Sequence, residues 1–247
     1  KEQLLGIALF NQATPTIAAL ISFKVHPERR NRKIGTTLLA FSESVCRQWG
    51  IQQLLLNYRT YWKSNTYWEK ILKQQQWQYH PPNMYYVHVN NTDILYEKMG
   101  LHIEAKPIFA SINPQTWEQL KSTIAQPDWQ NSIPDGLDPL QLANKQLDLQ
   151  ASVLILNNDR TNMIGWVIFH QLSKSIWQVT SLFVKEEYRT SKIGLAAIRE
   201  SARRHQNRGR VHFMVQPENT KMLAYVKRYM TKWACDLFSQ EVAYKEL

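Results

Sequence analysis

Residues 184–194 read VKEEYRTSKIG, and residues 25–35 read VHPERRNRKIG. The two stretches therefore share the pattern V-x4-R-x2-K-I-G, 159 residues apart. Each follows a run rich in β-branched residues (17–25 and 176–184), which predicts a strand. Each precedes a run with apolar residues at helical spacing (35–49 and 194–207). The sequence thus predicts a unit of strand, basic turn and helix that occurs twice.

The similarity extends beyond the turn and indicates two copies of one domain. With the 159-residue shift, thirteen of the 45 positions from Gly6 to Gly50 are identical, without a gap. Chance at a typical residue frequency of about 6% would give roughly three identities. The separation is too long for a solenoid repeat. We expect a first domain at residues 1–105, lacking some fifty residues at its start relative to the second, and a second domain at residues 106–247.

The pattern of apolar residues predicts matching elements in both copies. Gly50 and Gly209 stand where a C′ glycine would end the helix after each turn. Residues 157–159 predict a hairpin turn, and residues 78–101 have no clear counterpart in the second copy. The predicted strands are 4–10, 17–25, 53–58, 151–156, 163–169, 176–184 and 211–215, and the predicted helices are 35–49, 63–75, 116–125, 137–146, 194–207 and 220–232.

Composition excludes several classes of protein. The 247 residues include 28 aromatic ones and are 44% hydrophobic, so the chain is not disordered. No apolar run approaches the ~18 residues of a membrane helix, and two cysteines provide no disulfide framework. The eight glycines form neither GxGxxG nor a Walker A loop, and the histidines show no HExxH spacing. We expect a cytoplasmic protein with no metal site and no membrane partner.

The net charge of +10 fits an anionic partner, although a solvated basic surface is a competing interpretation. The basic clusters are short, whereas a nucleic-acid-binding protein more often carries a longer basic stripe. We therefore do not expect nucleic acid as the partner.

The repeated turn has the chemistry of an anion site. The first turn of a helix has backbone N–H groups without intrahelical partners, at the positive end of the helix dipole. Gly35 and Gly194 let a phosphate approach the backbone, and the neighbouring Arg and Lys add positive charge. The pattern favours a pyrophosphate ligand, with a solvated basic turn as the alternative.

At these residues the sequence resembles the Gcn5-related N-acetyltransferases (GNAT). Their motif A, Q/R-x-x-G-x-G/A, follows a strand that ends in Val-x-Pro. In the first copy the strand end is residues 25–27 and the motif is residues 30–35. In the second copy the strand ends at Val184 and the motif is residues 189–194. Both copies depart at the first glycine, which is Lys33 or Lys192. The resemblance implies an α/β (α+β) fold of two GNAT-like domains, each a mixed, mostly antiparallel sheet flanked by helices. It also implies that the sheet splays open where acetyl-CoA enters.

The resemblance assigns roles residue by residue. A bulged strand end at Phe183 and Val184 would offer an amide to the thioester carbonyl, and Tyr225 would protonate the departing thiolate. Asn219 would lie close to the pantetheine. The implied acetyl-CoA-binding residues are Phe183, Val184, Arg189, Thr190, Ser191, Lys192, Ile193, Gly194, Leu195 and Asn219 in the second copy, and Val25, Arg30, Lys33, Ile34 and Gly35 in the first.

The first copy matches the family less well. The 159-residue shift places Thr66 at the position of Tyr225 and Thr60 at that of Asn219, for which Asn65 could substitute. Residues 96–101 resemble the family's Tyr-x-x-x-Gly-Phe ending, but we prefer 63–75 as the equivalent helix. We expect one working site, in the second copy. The candidates for the general base are Glu187, His212 and Glu218, and the sequence does not choose among them.

The resemblance implies an N-acetyltransferase that moves an acetyl group from acetyl-CoA to the primary amine of a small molecule or peptide, by direct attack in a ternary complex. Two alternatives stay open. One is a non-catalytic acyl-CoA-binding module, which the missing glycines favour. The other is an aminoacyl transferase on the same fold with a charged tRNA as donor.

Overall fold

The computed structural model describes residues 3–99, 108–134, 136–140, 146–233 and 235–247. The chain divides into two compact units. The first contains Lys1–Tyr85, Gln216–Glu218 and Phe238–Leu247, and the second contains Tyr86–Val215 and Asn219–Leu237. The predicted boundary between residues 105 and 106 lies outside the described residues.

The described residues contain both strands and helices. The strands are β1 (Gly6–Thr14), β2 (Ile17–Val25), β3 (Gln53–Arg59), β4 (Gln78–Val89), β5 (Ile108–Ser111), β6 (Gln146–Leu147), β7 (Val153–Leu156), β8 (Met163–Ser173), β9 (Ile176–Val184), β10 (Arg210–Val215) and β11 (Cys235–Glu246). The α-helices are α1 (Ile34–Gln48), α2 (Asn65–Gln74), α3 (Thr92–Lys98), α4 (Pro114–Ile124), α5 (Pro127–Gln130), α6 (Ile193–Arg204) and α7 (Thr220–Arg228).

The first unit is a mixed sheet whose core lies against α1 and α2. Strand β2 pairs antiparallel with β1 and parallel with β3. Leu20 and Leu56 of the sheet pack with Leu39 of α1 and Leu72 of α2, all of them buried. Burying one such side chain contributes about 1.5–3 kcal/mol, so these positions fix how the helices lie on the sheet.

The last strand of the chain also belongs to the first unit. Residues Gln240–Glu246 of β11 pair antiparallel with Arg59–Gln53 of β3. Lys245 forms an ion pair with the buried carboxylate of Glu43 at 2.7 Å, and Trp77 Nε1 donates to the same carboxylate at 2.9 Å. The C-terminal segment therefore supplies both a strand and a buried charge partner to this unit.

The second unit has a sheet that is covered on both faces. Its strands follow the order β10-β9-β8-β7-β5, with β6 also pairing with β8. Leu120 of α4 and Trp129 of α5 pack against Trp166 on one face. Helix α6 packs against β7, β8 and β9 on the other face. This double cover explains why β8 is buried on both sides from Ile164 to His170.

The corresponding strand of the first unit has one open face. Ile7 and Leu9 are 41% and 46% exposed, whereas Trp166 and Ile168, their counterparts 159 residues later, are fully buried. In the second unit the cover comes from α4 and α5. The two copies of the repeat thus have corresponding strands, but the helices α4 and α5 that cover the second have no counterpart over β1 among the described residues of the first.

The helix ends agree with the sequence in the first copy and differ in the second. Gly50 follows the C-cap of α1 with φ +78°, which confirms it as the C′ glycine. The prediction for Gly209 is wrong, because α6 ends at Arg204 and the left-handed residue nearest its end is Asn207. A Cβ on Gly209 would lie 2.6 Å from the Ser175 carbonyl oxygen, so close packing against the backbone requires this glycine.

Two segments differ from the sequence prediction. Residues 137–140 are not helical and Gln146–Leu147 is a strand, which contradicts those parts of the predicted helix at 137–146; residues 141–145 lie outside the described residues. Residues 78–99, which have no clear counterpart in the second copy, form β4 and α3. The helix that follows β3 is α2, as preferred, and the 96–101 fragment begins within α3; Gly100 and Leu101 lie outside the described residues.

Candidate functional site

A gap opens in each sheet on the side of the repeated turn. Parallel pairing between β9 and β10 runs only from Ile176–Arg210 to Gln178–His212, although the strands continue to Val184 and Val215. In the first unit the pairing between β2 and β3 likewise stops at Leu20 and Leu56. Past these points, the edge of β9 that faces β10 lacks a strand partner. This is the splayed sheet that the family resemblance implies.

A β-bulge lies beside each gap, at the same position of the repeat. The β8–β9 register shifts at Thr180, and the β1–β2 register shifts at Ile21, 159 residues earlier. Thr180 Oγ1 donates to the Ile168 carbonyl oxygen at 3.3 Å. The prediction of a bulge at Phe183 and Val184 is wrong, because these residues pair regularly with Trp166 and Gly165. An amide displaced from the ladder is therefore found near Thr180.

The arginine of the repeated turn holds the turn against the strand. Arg189 Nε donates to the Val184 carbonyl oxygen at 2.9 Å, and its guanidinium lies 5.7 Å from the ring centre of Phe183. In the first unit, Arg30 Nε makes the equivalent bond to Val25 at 3.4 Å. The predicted binding arginines thus also have a structural role, and the second unit forms the shorter bond.

Both helices after the turns begin without a side-chain cap from any described residue. Their N-cap residues, Lys33 and Lys192, adopt left-handed backbone conformations with φ of +60° and +61°. Such a conformation costs a non-glycine residue about 1–2 kcal/mol. These are the positions where motif A has its first glycine, so the lysines keep the backbone shape that a glycine would adopt. The amides of the first helical turn stay available to a ligand.

Packing does not require a glycine at the second glycine position of motif A. A Cβ on Gly194 would have Val184 Cγ2 as its nearest neighbour, at an ordinary contact distance of 3.6 Å. A Cβ on Gly35 would lie 3.4 Å from Ile71 Cδ1. The repeated glycine is therefore better explained by a close ligand than by the core.

The remaining predicted residues of the turn contribute mainly through their backbone. Phe183, Val184 and Ile193 are buried in the core. Leu195, Val25 and Ile34 are partly buried, and Lys192 and Lys33 are exposed beside the helix starts. The backbone of Thr190 and Ser191 lies in the 3-10 turn Glu186–Ser191, and their side chains lie outside the described part.

Tyr225 and Asn219 both belong to α7. Burial raises the pKa of Tyr225, and the nearby Tyr229 and Cys235 raise it further, so its phenol stays protonated at neutral pH. Asn219 is the N-cap of α7, and its Oδ1 accepts from the Met222 amide at 3.1 Å. Asn219 therefore caps its own helix, and its Nδ2 donors remain for a ligand. The sequence pattern does not indicate this cap role.

Helix α2 of the first unit has no tyrosine at the position of Tyr225. Tyr225 is the sixth residue after the N-cap Asn219, and the sixth residue after Ser64, the N-cap of α2, is Lys70. The placement of Thr66 there by the 159-residue shift is therefore wrong, since α2 and α7 are not related by that shift. Ser64, and not Thr60, occupies the cap position of Asn219.

His212 is the best placed of the three candidate bases. It lies on β10, which borders the gap, and its ring stacks on His88 with 3.9 Å between ring centres. Burial, with His88 and Arg210 nearby, lowers the pKa of His212 to about 4, so the imidazole is neutral at pH 7. A base with so low a pKa holds a proton weakly, so His212 is a candidate by its position and not by its basicity. Glu187 and Glu218 are exposed.

The described part of the chain shows no group of three His, Cys, Asp or Glu side chains that could hold a metal ion. None of its helices is both long enough and apolar enough to cross a membrane.

Comparisons with known proteins agree with this architecture. A family model described as the acetyltransferase (GNAT) family matches residues 1–65 and 119–230. A solved tandem GNAT protein from the clavulanic acid biosynthesis pathway covers 98% of this chain and 79% of its own, with a TM-score of 0.57 and 13% identity. A GCN5-related N-acetyltransferase from Sphaerobacter thermophilus covers 98% and 76%, with a TM-score of 0.56 and 14% identity. No curated protein matches the chain.

Proposed function

The chain belongs to the acetyltransferase (GNAT) family, and we propose that it transfers an acetyl group from acetyl-CoA to a primary amine at a site in the second unit. The proposal depends on the backbone amides at the start of α6. Its amides lack a side-chain cap from the described residues, and the strand before it, β9, borders an open gap. A diphosphate at these amides would leave the pantetheine free to enter the gap between β9 and β10.

The residues around the gap suit direct transfer in a ternary complex. The amine nitrogen attacks the thioester carbonyl, and an amide near the Thr180 bulge donates to the oxygen as it becomes negative. The C–N bond forms as the C–S bond breaks, and Tyr225 supplies the proton that the sulfur takes up. The proton lost by the amine goes to a base, for which His212 is the best placed side chain.

The second unit is the proposed catalytic one. The first unit keeps the turn, the bulge and the uncapped helix, but it has Lys70 where the second has Tyr225. We assign to the first unit a weaker CoA site or a part in shaping the acceptor groove. The acceptor is proposed to be a small-molecule or peptide amine, and a cytoplasmic location remains a prediction.

Calorimetric titration with acetyl-CoA and with CoA, followed by thiol release over a panel of amines, tests this function. We expect binding of both and thiol release with at least one amine. CoA binding without thiol release on any amine would instead favour a non-catalytic acyl-CoA-binding module. The lysines at the first glycine position of motif A also favour that alternative. Absence of CoA binding, with transfer from a charged tRNA, would favour the aminoacyl transferase.

A further inference from the structure

A cavity in the second unit lies apart from the gap between β9 and β10. It has a volume of about 350 Å³ and is lined by α4, Trp129 of α5, strands β5 and β7, and the turn between β7 and β8. This volume lies within the ~300–1,000 Å³ range of small-molecule sites. In the strand order, β8 and β9 lie between β7, which lines the cavity, and β10, which borders the gap. Lys185, directly after β9, is the lining residue closest in sequence to the repeated turn.

The cavity combines two cations with uncharged polar groups. Arg160 of the hairpin turn and Lys185, directly after β9, both line it, together with the amides of Gln119 and Gln126. Lys185 Nζ lies 4.4 Å from the ring centre of Trp129, and no described side chain accepts a hydrogen bond from it. No described lining residue carries a carboxylate; the nearby Asp159 accepts bonds from Thr161 and lines a neighbouring cavity.

The rest of the lining is apolar. Trp129, Leu156 and Met163 contribute to the wall, and the ring of Trp129 is held by packing against Trp166 with 5.7 Å between ring centres. A rigid apolar wall that faces unneutralised cations suits an amphiphilic anion. An inorganic anion would leave the apolar wall unused, and a neutral apolar molecule would leave the cations unpaired.

We propose that this cavity binds a small carboxylic acid with an apolar or aromatic body. The carboxylate accepts hydrogen bonds from Arg160 and Lys185, and the body packs on Trp129 and Met163. The site involves none of the residues assigned to acetyl-CoA, so it stands whether or not the chain transfers acetyl groups.

Calorimetry on the intact protein with 3-phenylpropionate as the probe tests the proposal. We expect saturable binding with one site per chain, and a dissociation constant about tenfold higher in Lys185→Gln and in Arg160→Gln, as the loss of one charge-assisted hydrogen bond implies. Lys174→Gln is the matched control, because Lys174 is an exposed lysine of the β8–β9 turn, and it should bind as the unsubstituted protein does. The uncharged 3-phenylpropanol should bind more weakly.

Two results would overturn this assignment. One is no saturable binding of the probe at up to about 10 mM, weaker than any useful small-molecule site. The other is a loss of affinity in Arg189→Gln with none in Lys185→Gln, which would place the anion at the start of α6 instead. Circular dichroism of each variant separates a lost contact from a lost fold.

Discussion

At the scale of single residues, Tyr225 connects the fold to the proposed chemistry. Its burial raises its pKa, and a protonated phenol can donate to a thiolate. We predict that Tyr225→Phe lowers kcat by about 10²–10⁴-fold, the usual contribution of a general acid, and leaves the affinity for acetyl-CoA nearly unchanged. Thiol release and calorimetry measure the two quantities. Tyr229→Phe, one turn later and more exposed, is the control; full activity of Tyr225→Phe would remove Tyr225 from the mechanism.

His205 makes the free energy of unfolding depend on pH. His205 is fully buried between the rings of Phe169 and Trp177, and burial, helped by Arg208, lowers its pKa to about 4. The folded state therefore keeps the imidazole neutral, whereas the unfolded chain takes up a proton near pH 6.5. Stability from this group is complete above pH 6.5 and is lost as the pH falls from 6.5 to about 4.

Urea unfolding at pH 7 and pH 5 measures this effect. We predict that the free energy of unfolding falls by up to about 2 kcal/mol between these values on account of His205. His212, whose pKa is also lowered to about 4, adds to the total. His205→Leu should reduce the difference between the two pH values, and an unchanged difference would mean that His205 is protonated in the folded state.

At the scale of elements, the start of α6 carries the proposed affinity for CoA. A negative side chain beside these amides repels a diphosphate. We predict that Arg189→Glu weakens CoA binding far more than Arg30→Glu, because the catalytic site is assigned to the second unit. Calorimetric titration of both variants measures the effect. Arg203→Glu is the control, since it changes the same charge at the other end of α6; equal losses in Arg189→Glu and Arg30→Glu would contradict the assignment.

Elements that carry the repeat could be predicted from the sequence. Strands β2 and β9 and helices α1 and α6 lie within a few residues of their predicted bounds, because strand and helix periods are local properties. The bulges at Ile21 and Thr180 could not be predicted. A bulge is a property of the register between two strands, and β-branched residues such as Ile21 and Thr180 are common throughout regular strands.

Strand β4 was missed for a related reason. It contains Pro81 and Pro82, which are poor strand residues because they donate no backbone hydrogen bond. Asn91 caps helix α3, because its side chain accepts from the amides of Asp93 and Ile94, but the helix is too short for its period to stand out. The cap role of Asn219 could not be predicted, because an Asn at the start of a helix fits both an N-cap and a ligand contact.

At the scale of the whole molecule, the C-terminal strand belongs to the unit that begins the chain. Nothing local in residues 238–247 indicates their partner, β3, which lies some 180 residues earlier. Loop closure over such a length costs little more than over a short one, so distance along the chain does not forbid this pairing. The family resemblance predicted two domains of one fold, but not that the last strand completes the first unit.

The ion pair at Lys245 tests this arrangement. Glu43 is buried, so removing Lys245 leaves its carboxylate without a positively charged partner. We predict that Lys245→Met destabilises the first unit by about 1–3 kcal/mol. Hydrogen exchange should rise in β3 and α1 and stay unchanged in β8. Lys232→Met is the control; unchanged exchange in β3 would show that β11 is not part of the first unit's core.

The central claim is that the opening turn of α6 holds the diphosphate of CoA. A crystal structure of the protein with CoA bound tests it most directly. We predict a diphosphate on the backbone amides of residues 192–195, with the pantetheine running into the gap between β9 and β10. CoA bound elsewhere, with those amides not in contact with it, would contradict the claim.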